Sequence, residues 1–485
     1  MRILFLDLDT LRPDHLGCYG YHRNTSPNID SIAREGVRFN RYYCPNAPCL
    51  PSRASLVTGL YGIANGIVGH DRRTAELRHE NDARSFRSPV SQNSLFAVMK
   101  KAGLHTASIN TFADRHSAWW FNAGLNEHVN VDGGGGEPAE RVTPAALDWI
   151  ERNAERDNWA LHINYWDPHT PYRTPLDYNP FENDPLPEWY TQEVMDKHKV
   201  MASPHGINEI AMWDDSTNPA YPKHLGKLND MDDFRKFIDG YDSGIRYMDD
   251  HIGMLFDALR RKGVFDDLCV IITSDHGENL GELGLYAEHA TADDITCRIP
   301  MIVKWTGGAK GLADDSLRAN VDLLPTLADL FEQQPFPRWD GLSFAEVVKG
   351  KTPAESRDCV VLTQGAHVVQ RSVRFGKYLY MRTIHGGYHL FDEEMLFDIE
   401  RDPHEQRNIA AEHPELCLQA MGMIANWQYA EMKKHKIDTD PLFTTYIDMP
   451  CHCRGQLPAY IERLKKTGRG AAAKALAERY KDELM

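Results

Sequence analysis

Three short apolar runs, each closed at once by an acid or a histidine, constrain this chain more than any other feature. Arg2-Ile-Leu-Phe-Leu-Asp-Leu-Asp9 is the first. Trp159-Ala-Leu-His-Ile-Asn-Tyr165 runs into Trp166-Asp167-Pro168-His169, and Leu268-Cys-Val-Ile-Ile-Thr273 runs into Ser274-Asp275-His276. Runs this short and this apolar, bounded by polar residues, read as strands covered on both faces, the environment of a parallel sheet. Helical signals lie between them. Asn28 to Glu35 is flanked by Pro27 and Gly36, and a further helix is expected after Thr143, with Pro144 in its first helical position and Leu147 and Ile150 facing inward. Ile245, Met248, Ile252, Leu255 and Leu259 form one apolar stripe at helical spacing, and Gly263 stops it. Strands alternating with helices predict an α/β fold, a large mixed, mostly parallel sheet flanked by helices.

The texture changes after about residue 365. Val368 to Met381 and Leu390 to Ile399 read as short antiparallel strands, and a helix is expected over 408–434. We therefore expect a catalytic α/β domain over 1–365 and a smaller C-terminal α+β domain over 366–485. Residues 172–235, rich in Pro, Asp and Asn, form a long excursion suited to shaping a substrate site. Gly133 to Gly136 reads as a flexible loop.

Composition narrows the function classes. Of 485 residues, 42% are apolar and 26% charged, which excludes a disordered or collagen-like chain. A net charge of −16 argues against broad binding to nucleic acid or to an acidic membrane, and leaves room for a small anionic substrate at a locally positive site. No apolar run approaches the ~18 residues of a membrane span or the ~7–15 of a secretory core. Nine thinly spread cysteines fit a reducing compartment. The expectation is a cytoplasmic protein with no membrane and no nucleic-acid partner. Cys451, His452 and Cys453 would need further ligands to hold a metal.

In open α/β sheets ligands bind beyond the carboxyl ends of the strands. Asp9, Asp275-His276 and Asp167-Pro-His169 all stand there by this reading. Asp9, Asp275 and His276 suit a divalent cation: the carboxylates are hard ligands for Ca²⁺, Mg²⁺ or Mn²⁺, and the imidazole shifts preference toward Mn²⁺ or Zn²⁺; Ca²⁺ is the first expectation and Mn²⁺ the second. Asp7 shares a strand face with Asp9 and reads as a supporting acid. The most informative segment is Cys49-Leu-Pro51-Ser-Arg53-Ala-Ser-Leu-Val-Thr-Gly59. Pro51 suits a first helical turn and Gly59 the end, so Cys49 falls at a helix N-terminus, where N–H groups favour an anion. Arg53 lies one turn further and presents a planar fork of donors. Two readings of Cys49 follow: a nucleophile of lowered pKa or a buried structural thiol.

Cys49-Leu-Pro-Ser-Arg53 followed by Thr58-Gly59 resembles the Cys-x-Pro-x-Arg signature of the formylglycine-dependent sulfatase family, within the alkaline phosphatase superfamily. Asp9-Thr-Leu-Arg-Pro-Asp-His-Leu-Gly-Cys-Tyr-Gly20 resembles its opening metal loop, Pro27-Asn-Ile-Asp30 the stretch that follows, Asp167-Pro-His169 the segment of its active-site histidine, and Ser274-Asp-His-Gly-Glu278 its second metal loop. Arg298 to Val303 and Leu396 to His404 resemble later landmarks, so the likeness covers about residues 2–410.

The resemblance implies an alkaline-phosphatase-like fold and hydrolysis of a sulfate ester, on a carbohydrate. Cys49, oxidised by a maturase to formylglycine, would act as nucleophile and share the cation with Asp9, Asp275 and His276. Arg53 would stabilise charge, and His169 would protonate the leaving alcohol with His289 sharing that role. The expected partners are a small anionic sulfated substrate and the maturase. The sequence departs from the family at three points. Thr10 stands where a second acid is usual, His276 where Asn is usual, and two sulfate-holding lysines are missing, near Asn110-Thr111 and near Glu288-His289. Thr111, His116 and His70 are the remaining candidates for the pocket, and His289 is expected in the second lysine's place. Phosphonate monoester hydrolases share the metal-loop His and the loss of the first lysine. A phosphonate or phosphodiester hydrolase is thus one alternative, and an anion-binding pseudoenzyme the other.

Overall fold

A computed structural model describes residues 1–78, 85–182, 184–352 and 356–484. Among them the central sheet has eight strands. Their order across the sheet is Leu312–Asp314, Val37–Phe39, Met301–Lys304, Cys269–Thr273, Arg2–Leu8, Trp159–Tyr165, His105–Ile109 and Glu127–Val129. Met301–Lys304 runs antiparallel to both neighbours and all other pairs are parallel, so the sheet is mixed and mostly parallel, as expected.

The apolar runs lack alternation because both faces of the sheet are covered. Along the first strand, Ile3 and Phe5 enter one core and Leu4, Leu6 and Leu8 the other. The helix Cys49–Thr58 packs within the first core, the long helix Met231–Arg261 within the second. That long helix begins fourteen residues before the apolar stripe that announced it, because Asp230 caps it by accepting from the Asp233 N–H, and Phe234, Phe237, Ile238 and Tyr241 extend the buried face. The helix expected after Thr143 starts earlier too, at Ala139, with Pro144 inside it. Burial of Ala139, Val142, Ala146, Trp149 and Ile150 outweighs the hydrogen bond that proline removes, and Leu147 is only partly buried.

A second sheet contains the strands Cys359–Gln364, Val369–Phe375, Tyr378–His385 and Glu394–Asp398, antiparallel in sequence order. Residue 365 falls inside it, between its first two long strands. Its far edge is Asn46–Ala47, a segment just ahead of Cys49, which pairs parallel with Thr363 and Gln364. The C-terminal region is therefore hydrogen-bonded to the chain that enters the Cys49 helix. The helix expected over 408–434 is observed as Pro414–His435.

This last helix is clamped to the loop around residue 340. Asp340 accepts from Lys434 Nζ at 2.7 Å, from His435 Nε2 at 2.7 Å and from the Tyr61 N–H at 2.8 Å. Burial works to lower the His435 pKa, but bonding to Asp340 and Glu431 prevails and raises it to about 9. A His raised in the folded state stabilises fully below its ordinary pKa of 6.5, and that contribution is lost as pH climbs through about 9. We expect the urea midpoint to fall over this window in the wild type and to fall less in His435→Gln. Equal slopes in the two proteins would remove the clamp from the account of stability.

Candidate active site

Register brings the acids together. Leu8 stands opposite Tyr165, and Asp7 opposite both Asn164 and Thr273, so the chain leaves three adjacent strands at one edge. There the ligand atoms of Asp9, Asp275 and His276 lie within 4.8 Å of one another, and all three residues are buried. His276 Nδ1 donates to the Gly277 carbonyl at 2.9 Å, so the lone pair sits on Nε2. That nitrogen is buried without a hydrogen-bond partner, 3.3 Å from Asp275 Oδ2. A carbonyl fixing one ring nitrogen while the other is left bare is how metal-ligating histidines are held. The cluster also carries excess negative charge. Asp7, Asp9 and Asp275 are all fully buried, and Arg53 is the cation bonded to all three. Burial, joined by Asp9 and Asp7, pushes Asp275 upward against Arg53. For Asp9 burial is outweighed by Arg53, His169 and His276, and it stays ionised. The donor set and its charge therefore fit a divalent cation.

Cys49 opens the helix Cys49–Thr58, which Gly59 closes in the left-handed region at φ 68°. Arg53 follows one turn later on the same face. Its Nε donates to Asp7 at 2.7 Å, and Nη1 reaches Asp9 at 3.0 Å and also bonds Asp275. The fork expected to face the anion thus faces three carboxylates, because buried acids offer stronger acceptors than anything beyond them. Phe112 and Trp166 cover the guanidinium at 4.8 and 5.9 Å. Asp7 supplies the supporting acid and also lies 3.5 Å from His162 Nε2.

Cys49 Sγ lies 3.5 Å from His70 Nε2 and 3.5 Å from His116 Nε2. Burial, aided by Asp9 and Asp275, pushes the thiol well above its ordinary pKa. The reading of Cys49 as a thiolate lowered by the helix terminus is thereby corrected: desolvation and two carboxylates outweigh the dipole. Burial also pushes His116 down to about 3 and His70 well below its usual range, so both stand neutral beside residue 49. His169 donates from Nδ1 to the Thr170 carbonyl at 2.7 Å, and burial lowers its pKa. Its ring is 5.6 Å from that of His289, which lies 4.0 Å from the His276 ring. His289 is held between two acids, with Nδ1 3.3 Å from Glu278 and Nε2 3.2 Å from Glu288. Burial raises both acids, Glu288 to about 7. Thr111 is committed elsewhere: its hydroxyl donates to Glu137 at 2.6 Å and accepts from Trp166 at 3.0 Å.

Other neighbours had no legible signal. Arg115, one turn after Thr111, lies over Trp166 at 5.2 Å and is solvent-exposed. The glycine loop packs against it. A Cβ on Gly135, at φ 99°, would meet Arg115 Cδ at 2.4 Å, and one on Gly136, at φ 85°, would meet Arg173 at 2.7 Å. The loop read as flexible is a cradle for two cations, and Arg173 in turn donates to the His169 carbonyl at 3.0 Å. The C-terminal region adds His367 and His452, stacked at 3.9 Å, with His452 also 5.8 Å from His70. Cys451 and Cys453 do not converge with His452 on one point: their thiols face the Ala366 and Pro450 carbonyls.

Residues 2–333 match the family model Sulfatase, and residues 281–423 match the model for the C-terminal part of N-sulphoglucosamine sulphohydrolase. The N-acetylglucosamine-6-O-sulfatase of Bacteroides thetaiotaomicron is 23% identical over 90% of this chain and 87% of its own. A solved structure in complex with its substrate D-glucosamine-2-N,6-O-disulfate superimposes with a TM-score of 0.69 at 20% identity, covering 91% of this chain and 99% of the other. The phosphonate monoester hydrolase of Agrobacterium radiobacter superimposes at 0.67 with 18% identity, over 90% and 96%. These likenesses agree with an alkaline-phosphatase-like fold. Among the described residues no helix is long and apolar enough to cross a membrane. With its signature helix, its acids at the sheet edge and a family match over 2–333, this chain belongs to the sulfatase family of sulfuric ester hydrolases.

Proposed function

We propose that the protein hydrolyses a sulfate ester on a carbohydrate, using formylglycine made from Cys49 and one divalent cation, Ca²⁺ by the donor set. The observation that carries this reading is a residue 49 flanked by two neutral histidines and backed by a buried carboxylate cluster. A carbohydrate is favoured by the named relatives and by Trp119. Trp120 and Trp166 are buried, Trp213 packs on Tyr460 at 4.9 Å, and Trp119 stays 38% exposed as a stacking face.

Asp9, Asp275, His276 and residue 49 would hold the cation, which supplies Lewis acidity at a sulfate oxygen and lowers the pKa of an adjacent hydroxyl. Formylglycine, as its hydrate, supplies an oxygen nucleophile and a second hydroxyl whose ionisation later releases sulfate. His70 and His116, bare and neutral, are placed to accept protons from the side chain at position 49. Arg53 keeps the acids aligned and offsets their charge. His169 protonates the leaving alcohol: Nδ1–H stays on the Thr170 carbonyl, and Nε2 takes up a proton from solvent as the anionic substrate binds and passes it to the leaving oxygen. Arg115 takes over from the missing first lysine as the accessible cation for the sulfate. His289 takes over from the second: the Glu278 carboxyl, raised by burial, holds Nδ1, and the Nε2–H that faces Glu288 is the donor shared with the sulfate.

A screen of sulfated saccharides with protein co-expressed with a maturase tests the reading. We expect turnover of at least one sulfated sugar. His289→Ala should cut it by roughly 10²–10³-fold, the effect of removing one oriented donor, with cation content unchanged. Wild-type turnover in His289→Ala would remove His289 from the site. His276 in the metal loop favours, as a second reading, a phosphonate monoester or phosphodiester substrate. The ratio of rates on an aryl sulfate and a phenylphosphonate monoester separates the two, and no turnover of either would leave an anion-binding pseudoenzyme.

A further inference from the structure

We infer that His205, Glu288 and His367 form a second metal site, suited to Zn²⁺ and separate from the Asp9–Asp275–His276 cluster. The three come from distant segments: the 172–235 excursion, the short strand Tyr286–Glu288 and the turn between Cys359–Gln364 and Val369–Phe375. Their ligand atoms lie within 4.8 Å of one another. His205 Nδ1 is 3.5 Å from Glu288 Oε2, and His367 Nε2 is 3.6 Å from Glu288 Oε1. Neither pair forms a hydrogen bond, and His205 Nδ1 is buried without a partner. That nitrogen faces a carboxylate oxygen of Glu288. A buried nitrogen left without a partner 3.5 Å from a carboxylate oxygen leaves room for a cation that both would bind. Ligands at ~2.0–2.1 Å from a tetrahedral Zn²⁺ stand about 3.3–3.4 Å apart, close to the separations observed.

The surroundings hold these groups in place. The Tyr286 N–H donates to the His205 carbonyl at 2.9 Å, and Gln364 Nε2 donates to the His289 carbonyl at 2.8 Å. His452 stacks flat on the His367 ring, at an interplanar angle of 4°. Glu288 Oε1 is shared with His289 Nε2 at 3.2 Å, while Oε2 points to His205. Another three-residue cluster, Asp340, Glu431 and His435, with two carboxylates and one imidazole, shows the contrast. There His435 donates to Asp340 at 2.7 Å and Lys434 supplies the charge, so hydrogen bonds already satisfy it. Two imidazoles and one carboxylate select Zn²⁺ over Ca²⁺, and three protein ligands leave a position for water or a substrate oxygen. The site stands whether or not the substrate is a sulfate ester, since its readout is metal content.

The test titrates the full-length protein with Zn²⁺ alone, in the presence of Ca²⁺. The expected result is one tightly held Zn²⁺ per chain in the wild type and in Asp275→Asn. Glu288→Gln and His367→Ala should each weaken it by ~10²-fold or more, beyond the loss typical of an outer-shell partner. Co²⁺ added to the wild type should show the strong visible absorption of four-coordinate N/O ligation, a measurement that needs no variant to fold. Zinc held equally well by Glu288→Gln and His367→Ala would overturn the assignment. So would zinc lost with Asp275→Asn, or a wild type that binds none.

Discussion

Cys49→Ala is expected to lose turnover of the sulfate ester by roughly 10⁵-fold or more, the scale on which removal of a nucleophile acts. The size follows from what residue 49 does. Its thiol is buried at 5% exposure and pushed well above its ordinary pKa, so at neutral pH an unmodified cysteine stays protonated and attacks nothing. Two neutral imidazoles at 3.5 Å are wasted on a thiol, yet placed well for a hydroxyl that must lose its proton. Cys49→Ser sharpens the test. A serine oxygen can accept a sulfuryl group but has no second hydroxyl to expel it, so one equivalent of alcohol should be released and turnover should then stop. Mass spectrometry of the wild-type peptide from Tyr42 to Arg53 should find the aldehyde. Full activity with Cys49 present only as thiol would sink the mechanism.

Asp275→Asn should abolish cation binding and reduce turnover by ~10³-fold or more, because the cation and the negative ligand that holds it are lost together. The fold should survive. Asp275 is raised by burial, with Arg53 opposing and Asp9 and Asp7 adding to it, so a neutral Asn sheds the cost of a buried charge and leaves Arg53 still paired with Asp7 and Asp9. Thermal unfolding distinguishes this from simple damage. Ca²⁺ at 100 times its dissociation constant should stabilise the wild type by about 2.7 kcal/mol, and Asp275→Asn not at all. A variant that still responds to Ca²⁺ like the wild type would take Asp275 out of the ligand set. Arg53 behaves oppositely. Removing it strands three buried carboxylates, a loss of the order of 3–5 kcal/mol.

The sequence by itself determined what is local and periodic. A run such as Ile3 to Leu8 can be only a strand covered on both faces, and the acid that follows must then leave the sheet at its carboxyl edge. Pro51, Gly59 and the four-residue step from Cys49 to Arg53 define a helix with both side chains on one face. These patterns were enough for the fold class, the family and the convergence of Asp9, Asp275 and His276. Tertiary structure decided the rest, because the rest depends on which distant groups meet in a low dielectric. Whether Cys49 is a thiolate turns on its burial and on two carboxylates that follow distant strands, and whether Arg53 faces an anion or its own acids turns on the same two and Asp7. His205, Glu288, His367 and His452 sit in segments with no shared period, so no spacing announces that they meet. Even the glycine loop changed meaning: its composition suggests freedom, and only the packed Arg115 and Arg173 show that Gly135 and Gly136 are needed for closeness.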